Sequence, residues 1–219
     1  MSMRQLVTYL KETNMIKDPR VEQTMLKVDR ACYCPSKQPY IDSPYSIGYN
    51  ATISAPHMHA YALECLKDKL VDGARVLDVG SGSGYLTACL AHMVGPNGRV
   101  FGVEHIEELV KQSEKNIKRD CPELLESGRV KIVLADGRVG LKEYSPFDVI
   151  HVGATAEGLP QLLVDQLKEG GRMVIPVQKI SDDQIFECVD KQGDTIRRTE
   201  LLPVRYVPLT NAATQLGRK

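Results

Sequence analysis

The stretch "RVLDVGSGSGYLTACLAHMV" constrains the fold of this chain more than any other. A short apolar strand, "RVLDVG", runs into three alternating glycines and then into a helical run beginning at Tyr85. Strand, glycine turn and helix in that order are the opening of a βαβ unit, in which parallel strands are joined by crossover helices. The alternation continues downstream. "RVFGVE", "RVKIVLAD" and "FDVIHVG" read as further strands, and "IEELVKQSEKNIKR" is a helix with its charges on one side. "LPQLLVDQLKEGG" reads as a helix ending on glycine that leads into the strand "RMVIPV". The tail suggests two or three antiparallel strands, "QIFECVD", "TIRRTEL" and "VRYVPL". The expected fold is α/β, a doubly wound, mainly parallel sheet.

The flanks of that core differ from it. Asp18 before Pro19 is a helix start, a capping side chain followed by the favoured first-turn proline, with Val21, Met25 and Val28 on one face. From Ala31 to Asn50 the chain is rich in Pro, Tyr, Ser and Gly and has no period, as expected of a loop that wraps a site. Met58, Ala62, Cys65 and Leu66 then form a helical stripe. The expected organisation is one domain: an N-terminal helical cap and substrate loop over 1–54, a cofactor-binding core over 55–177, and β-rich C-terminal strands and tail over 178–219.

Lys plus Arg balance Asp plus Glu at 28 each, so no global field draws the chain to nucleic acid or to a membrane. The six cysteines form no C-x-x-C pair, which favours reduced thiols over disulfides or zinc. No run approaches ~18 apolar residues, and the N-terminus has no apolar signal-like stretch. A monomer in the cytosol is expected.

The glycine turn is G-x-G-x-G, with Tyr85 where a dinucleotide fingerprint needs its third glycine, and no Lys-Ser/Thr pair follows for a triphosphate. Asp78 precedes Gly80, Gly82 and Ser83; Glu104-His105 and Asp136-Gly137 end the next two strands. Carboxylates at successive strand ends lie where open α/β sheets bind ligands. This pattern resembles the Rossmann-like S-adenosylmethionine-dependent methyltransferases. In them the first carboxylate suits the cofactor's cationic groups, the second its ribose hydroxyls and the third its adenine edge.

"ATISAPHMHAYAL" poses a separate question. His57 and His59 are two apart on a helix and diverge, unlike a zinc-binding i, i+4 pair, so no metal is expected. Ser54 has no G-x-S-x-G elbow around it. Ser54 or Ala55 can cap the helix that starts at Pro56.

Taken in order, "SPYSIGYNATISAPHMHAYALE", "LDVGSGSGYLT", "ADGR", "FDVIHVGATA", "LKEGGRMVIPV" and "YVPLT" resemble the protein-L-isoaspartate (D-aspartate) O-methyltransferases, over Arg4 to Thr210. The resemblance implies repair of damaged proteins by methylation of the free carboxyl of L-isoaspartyl, and more weakly D-aspartyl, residues. The ester then collapses to a succinimide that reopens partly to aspartate. It further implies that Ala51, Thr52, Ile53 and Ser54 cover the substrate carboxylate, with Ser54 catalytic and Val207 among the main-chain contacts. His59, Ser83, Glu104, His105, Asp136, Gly137, Thr210 and Gln215 would bind the cofactor, alongside Asp78, Gly80 and Gly82. Ala135 replaces a glycine common in the family, and "QKISDDQ" lacks glycines found in some members. His151 reads as a packed strand-end histidine. The competing readings are a methyltransferase of a small carboxylate or of nucleic acid, a non-catalytic cofactor sensor, and a nicotinamide-dependent reductase.

Overall fold

The computed structural model describes residues 1–217. Its centre is a seven-stranded sheet built from β3 (Arg75–Val79), β4 (Arg99–Glu104), β5 (Val130–Leu134), β6 (Phe147–Val152), β7 (Leu167–Gln178), β8 (Gln184–Gln192) and β9 (Thr195–Val204). The order is β5-β4-β3-β6-β7-β8-β9. β5 through β7 are parallel, while β8 and β9 close the far edge as antiparallel strands. The chain winds outward from β3 in one direction and then returns to its other side at β6. The carboxyl ends of β3, β4 and β6 therefore flank a topological switch point, where such sheets open a ligand crevice.

Side-chain alternation along β3 assigns the two faces. Val76 packs with the helices α1 (Met3–Glu12), α2 (Pro19–Lys27), α3 (Pro56–Leu66), α4 (Tyr85–Met93), α5 (Glu107–Asp120) and α6 (Pro122–Glu126). Leu77 and Val79 pack on the opposite side with Leu163 and Val164 of α7 (Gln161–Gln166). Fully buried leucines such as Leu63 and Leu90 each contribute about 1.5–3 kcal/mol relative to exposure. Local signals set the helix starts. Ser2 and Gln5 form a reciprocal capping box on α1, and Asp18 accepts from Arg20 N ahead of Pro19.

Of the two candidate caps of α3, Ala55 occupies the position and makes no side-chain hydrogen bond; Asp42 Oδ1, reaching in from the preceding loop, accepts from His57 N at 2.9 Å. Elsewhere the structure narrows or changes the expectations. The predicted helix "LPQLLVDQLKEGG" ends at Gln166, because Leu167 already pairs with Phe147. The next pair is Val149 with Arg172, so residues 168–171 bulge from the ladder. A Cβ at Gly171 would sit 2.8 Å from Lys168 O and 3.0 Å from Asp148 O, so only glycine fits there. "VRYVPL" is no third hairpin strand: β9 ends at Val204, and Pro208 makes only an isolated bridge to Thr155. The loop at 178–184 turns without glycine because Asp182 itself takes φ +70.

The N-terminal hairpin, β1 (Tyr45–Gly48) and β2 (Ala51–Ile53), stands apart from the main sheet. The short helix α8 (Ala212–Gln215) begins at Asn211, whose side chain accepts from Thr214 N.

Gly84 starts α4 at φ +84, and a Cβ there would meet Ile117 Cδ1 and Ser113 Cβ, each at 3.1 Å. Left-handed backbone costs a non-glycine residue about 1–2 kcal/mol, and overpacking about 1–3 more. Gly84→Ala is therefore expected to lower unfolding free energy by about 2–5 kcal/mol in urea titrations; an unchanged midpoint would contradict this account of the turn.

Candidate active site

At the switch point the ends of β3 and β6 meet through a buried hydrogen bond. Asp78 lies opposite His151 in the ladder, and its Oδ1 accepts from His151 Nδ1 at 2.8 Å. The Thr87 hydroxyl donates to Oδ2 at 2.6 Å, so both oxygens are engaged and the carboxylate is 1% exposed. The turn leaving β3 is then fixed to β4: Gly80 N and Ser81 N both donate to Val103 O. Asn116 Nδ2 ties the turn to α5 by donating to Ser83 O at 3.0 Å.

Glu104 ends β4 beside this turn. Its Oε1 accepts from His105 N at 2.8 Å and Ile106 N at 3.0 Å, and its Oε2 from Gly82 N at 3.2 Å. One carboxylate thus satisfies backbone donors leading into α5 and one in the glycine turn. His105 Nε2 faces Gln215 Oε1 at 2.7 Å. Gln215 also donates its Nε2 to Tyr49 O at 2.9 Å, while its carbonyl accepts from Asn50 Nδ2 at 2.7 Å. The C-terminal helix therefore straps the β1–β2 turn to the end of β4.

Three hollows converge on this region. The first lies between the ends of β3, β4 and β6, with Val79, Val103 and Leu209 as apolar walls and Glu104 and Thr210 as polar ones. Ala51, Gly80, Gly82, His105, Gly137, Val207 and Gln215 also line it. The second lies deeper, bounded by Ile53, Ser54, His59, Asp78, Ser81, Ser83 and His151. The third is an open groove of about 410 Å³ between Ser54, Met58 and the segment Leu202–Tyr206. Thr52 lines all three. Among the sequence candidates only Asp136 lines none of them: its carboxylate is clamped by Arg138 Nη2 at 2.6 Å and Nε at 3.0 Å, which holds it below the usual carboxylate range.

Sequence reasoning missed Arg30. Its guanidinium is 1% exposed, donates to Pro39 O at 2.9 Å and Ser43 O at 3.3 Å, and lies 5.7 Å from the Tyr85 ring centroid. Its Nη1 faces His59 Nδ1 at 3.5 Å. Burial first, and then the charge of Arg30, hold His59 well below the ordinary histidine range. No spacing rule points to Arg30, because its partners lie 9, 13 and 29 residues away. Gln184 was missed too: its Oε1 accepts from Tyr206 N at 2.6 Å and from the Thr155 hydroxyl at 2.8 Å, shaping the groove wall.

The family described as protein-L-isoaspartate(D-aspartate) O-methyltransferase matches this chain over residues 1–214. The chain belongs to that family. A protein-L-isoaspartate O-methyltransferase of Caenorhabditis elegans is 49% identical over 214 residues, covering 98% of this chain and 95% of the relative. That of Triticum aestivum is 51% identical over 215 residues, covering 96% and 92%. A crystal structure from Plasmodium falciparum, described under the same enzyme name and in complex with S-adenosyl-L-homocysteine, superposes with a TM-score of 0.90 at 40% identity. It covers 96% of this chain and 99% of that one.

Away from the three hollows of this family member, His92, Cys121 and Glu123 bring potential metal-binding atoms within 4.8 Å of one another. Burial and the charges of Lys27 and Arg129 push His92 down to about 4, and burial pushes the Cys121 thiol up to about 12.

His59 and His92 have a consequence for stability. Unfolded histidine takes up a proton near pH ~6.5, whereas these two resist it when folded. The unfolded state then binds more protons, so stability rises with pH across that window and falls on acidification. Urea midpoints are expected to drop between about pH 7 and pH 5. His92→Gln should flatten that slope; an unaltered slope would show that His92 is protonated in the fold.

Proposed function

We propose that this chain transfers a methyl group from S-adenosylmethionine to the free carboxyl of L-isoaspartyl, and more weakly D-aspartyl, residues in damaged proteins and peptides. The methyl ester closes to a succinimide, which reopens in part to L-aspartyl. The observation that carries this reading is the position of Thr52 and Ser54, where the deep hollow and the open groove adjoin.

The residues present fit the cofactor. Glu104 offers a buried carboxylate to ribose hydroxyls, and the apolar pair Val79 and Val103 flanks a flat base. Ser81 lines the deep hollow, and its buried Oγ has no hydrogen-bond partner among the described residues. Among the described residues neither Lys nor Arg lines either inner hollow, in keeping with a nucleoside that carries no phosphate. Ala51, Gly80, Gly82, His105, Gly137, Thr210 and Gln215 would surround the nucleoside. His59, Asp78 and Ser83 would face the amino-acid end. Asp136 would act at the rim once released from Arg138.

When bound, S-adenosylmethionine supplies an electrophilic methyl on a sulfonium. The acceptor carboxylate, with an ordinary pKa of roughly 3.9, is already an ionised nucleophile and needs no general base. The chain's own task is placement and exclusion of water. The Ser54 hydroxyl donates a hydrogen bond that aims the carboxylate, and Thr52 and Ile53 hold the hairpin against the glycine turn. Val207, whose carbonyl accepts from Thr155 N at 2.8 Å, stations the tail beside it. The groove past Tyr206 offers extended backbone to a peptide, a mode that tolerates many sequences.

The chain works as one domain and as a monomer on this reading, since the hairpin, the core and the tail all come from the same chain. Residues 1–54 supply the substrate loop, 55–177 the cofactor core and 178–219 the strands and tail, of which the last two residues lie outside the described ones. No helix among the described residues is long and apolar enough to cross a membrane, and the balanced charge gives nucleic acid no patch-wide attraction. The cytosol is the proposed compartment.

The test uses labelled S-adenosylmethionine and two peptides that differ only in isoaspartyl versus aspartyl at one site. Base-labile label is expected in the isoaspartyl peptide alone. Loss of a hydrogen bond to a charged group costs about 1.5–3 kcal/mol, so Ser54→Ala should lower kcat/KM by about 10–100-fold with cofactor affinity unchanged. Label in neither peptide, or equally in both, would reject the assignment.

A further inference from the structure

The deep hollow holds two imidazoles, His59 and His151, and each has a buried ion behind it. The two ions have opposite charge. Arg30 Nη1 faces His59 Nδ1 at 3.5 Å, and a guanidinium can only donate, so that nitrogen must present its lone pair. The proton of the neutral ring then sits on Nε2. Asp78 Oδ1 faces His151 Nδ1 at 2.8 Å, and a carboxylate can only accept, so that nitrogen carries the proton. The neutral His151 ring is left with a bare Nε2. Neither Nε2 has a hydrogen-bond partner among the described residues. The same wall thus offers one donor backed by a cation and one acceptor backed by an anion.

We propose that this hollow is a zwitterion reader: His59 Nε2–H takes the carboxylate and His151 Nε2 the ammonium of the cofactor's amino-acid end, with Arg30 and Asp78 locking the two rings in opposite tautomers. The inference rests on the S-adenosylmethionine reading above and adds His151 as a binding residue and Arg30 as a positioning residue. Three features support it. Among the described residues Arg30 hydrogen-bonds to no carboxylate, only to the carbonyls of Pro39 and Ser43, and Asp42 acts on it through space alone. The second oxygen of Asp78 is fixed by Thr87, which prevents the carboxylate from swinging away from His151. Ser81, whose buried hydroxyl has no partner among the described residues, lines the same hollow. An amino acid with both charges would be favoured over a ligand with either one alone, because the Arg30-to-Asp78 field aligns with its dipole.

The experiment compares calorimetric affinities for four probes: S-adenosylhomocysteine, its decarboxylated analogue, its deaminated analogue, and 5′-methylthioadenosine, which lacks the amino-acid end. In Arg30→Met, affinity for S-adenosylhomocysteine should fall about tenfold or more, the equivalent of one hydrogen bond to a charged group. The decarboxylated analogue and methylthioadenosine should be unaffected. In His151→Phe the advantage of S-adenosylhomocysteine over the deaminated analogue should disappear, again with methylthioadenosine unaffected. A parallel loss for all four probes would mean a merely structural role and would overturn the proposal, as would no loss at all. Should the variants not fold, ¹⁵N imidazole spectra of the unmodified protein decide: a proton on His59 Nε2 and on His151 Nδ1 is expected, and a proton on His59 Nδ1 rejects it. If the unmodified protein binds none of the four, the cofactor reading falls and the inference with it. If it binds all four but the ratios do not depend on Arg30 or His151, only the inference falls.

Discussion

The carboxylate of Glu104 joins the two parts of the chain that must not move relative to each other. Its three backbone donors come from the glycine turn and from the start of α5, so the ends of β3 and β4 are held at one spacing. A buried carboxylate left without such donors would cost far more than the bonds return, which makes the arrangement all-or-none. The glycine turn can follow its left-handed path only because Glu104, Val103 and Asn116 hold it from three sides. The same residue lines the first hollow, so the group that sets the scaffold also borders the cavity between the ends of β3, β4 and β6.

Much of this was legible in the chain. The parallel core follows from strand–helix alternation and from glycines at 80, 82 and 84, local signals that need no knowledge of distant contacts. Glu104 and Asp78 are found by counting to strand ends. The helix predicted through Gly171 failed because Leu167 is claimed by Phe147 on β6, a pairing between residues 20 apart that overrides local propensity. Between the two candidate caps of α3 the chain alone could not choose for the same kind of reason: the side chain that satisfies the helix start, Asp42, reaches it from 15 residues away.

Site residues divide along that line. Ser54, Thr52 and Glu104 sit in motifs and line the hollows. Asp136 sits in a motif too, yet its neighbour Arg138 holds its carboxylate, a competition between adjacent side chains that spacing does not reveal. Arg30 and His151 acquire meaning only through their partners, one across a loop and the other across a strand ladder.

The strap made by α8 links two parts of the site that are far apart in the chain. Gln215 touches the hairpin turn through Tyr49 and Asn50, and the end of β4 through His105. Three hydrogen bonds at about 0.5–1.5 kcal/mol each set a modest latch. Displacing α8 would break all three at once, so the β1–β2 turn and the end of β4 would lose the same support together.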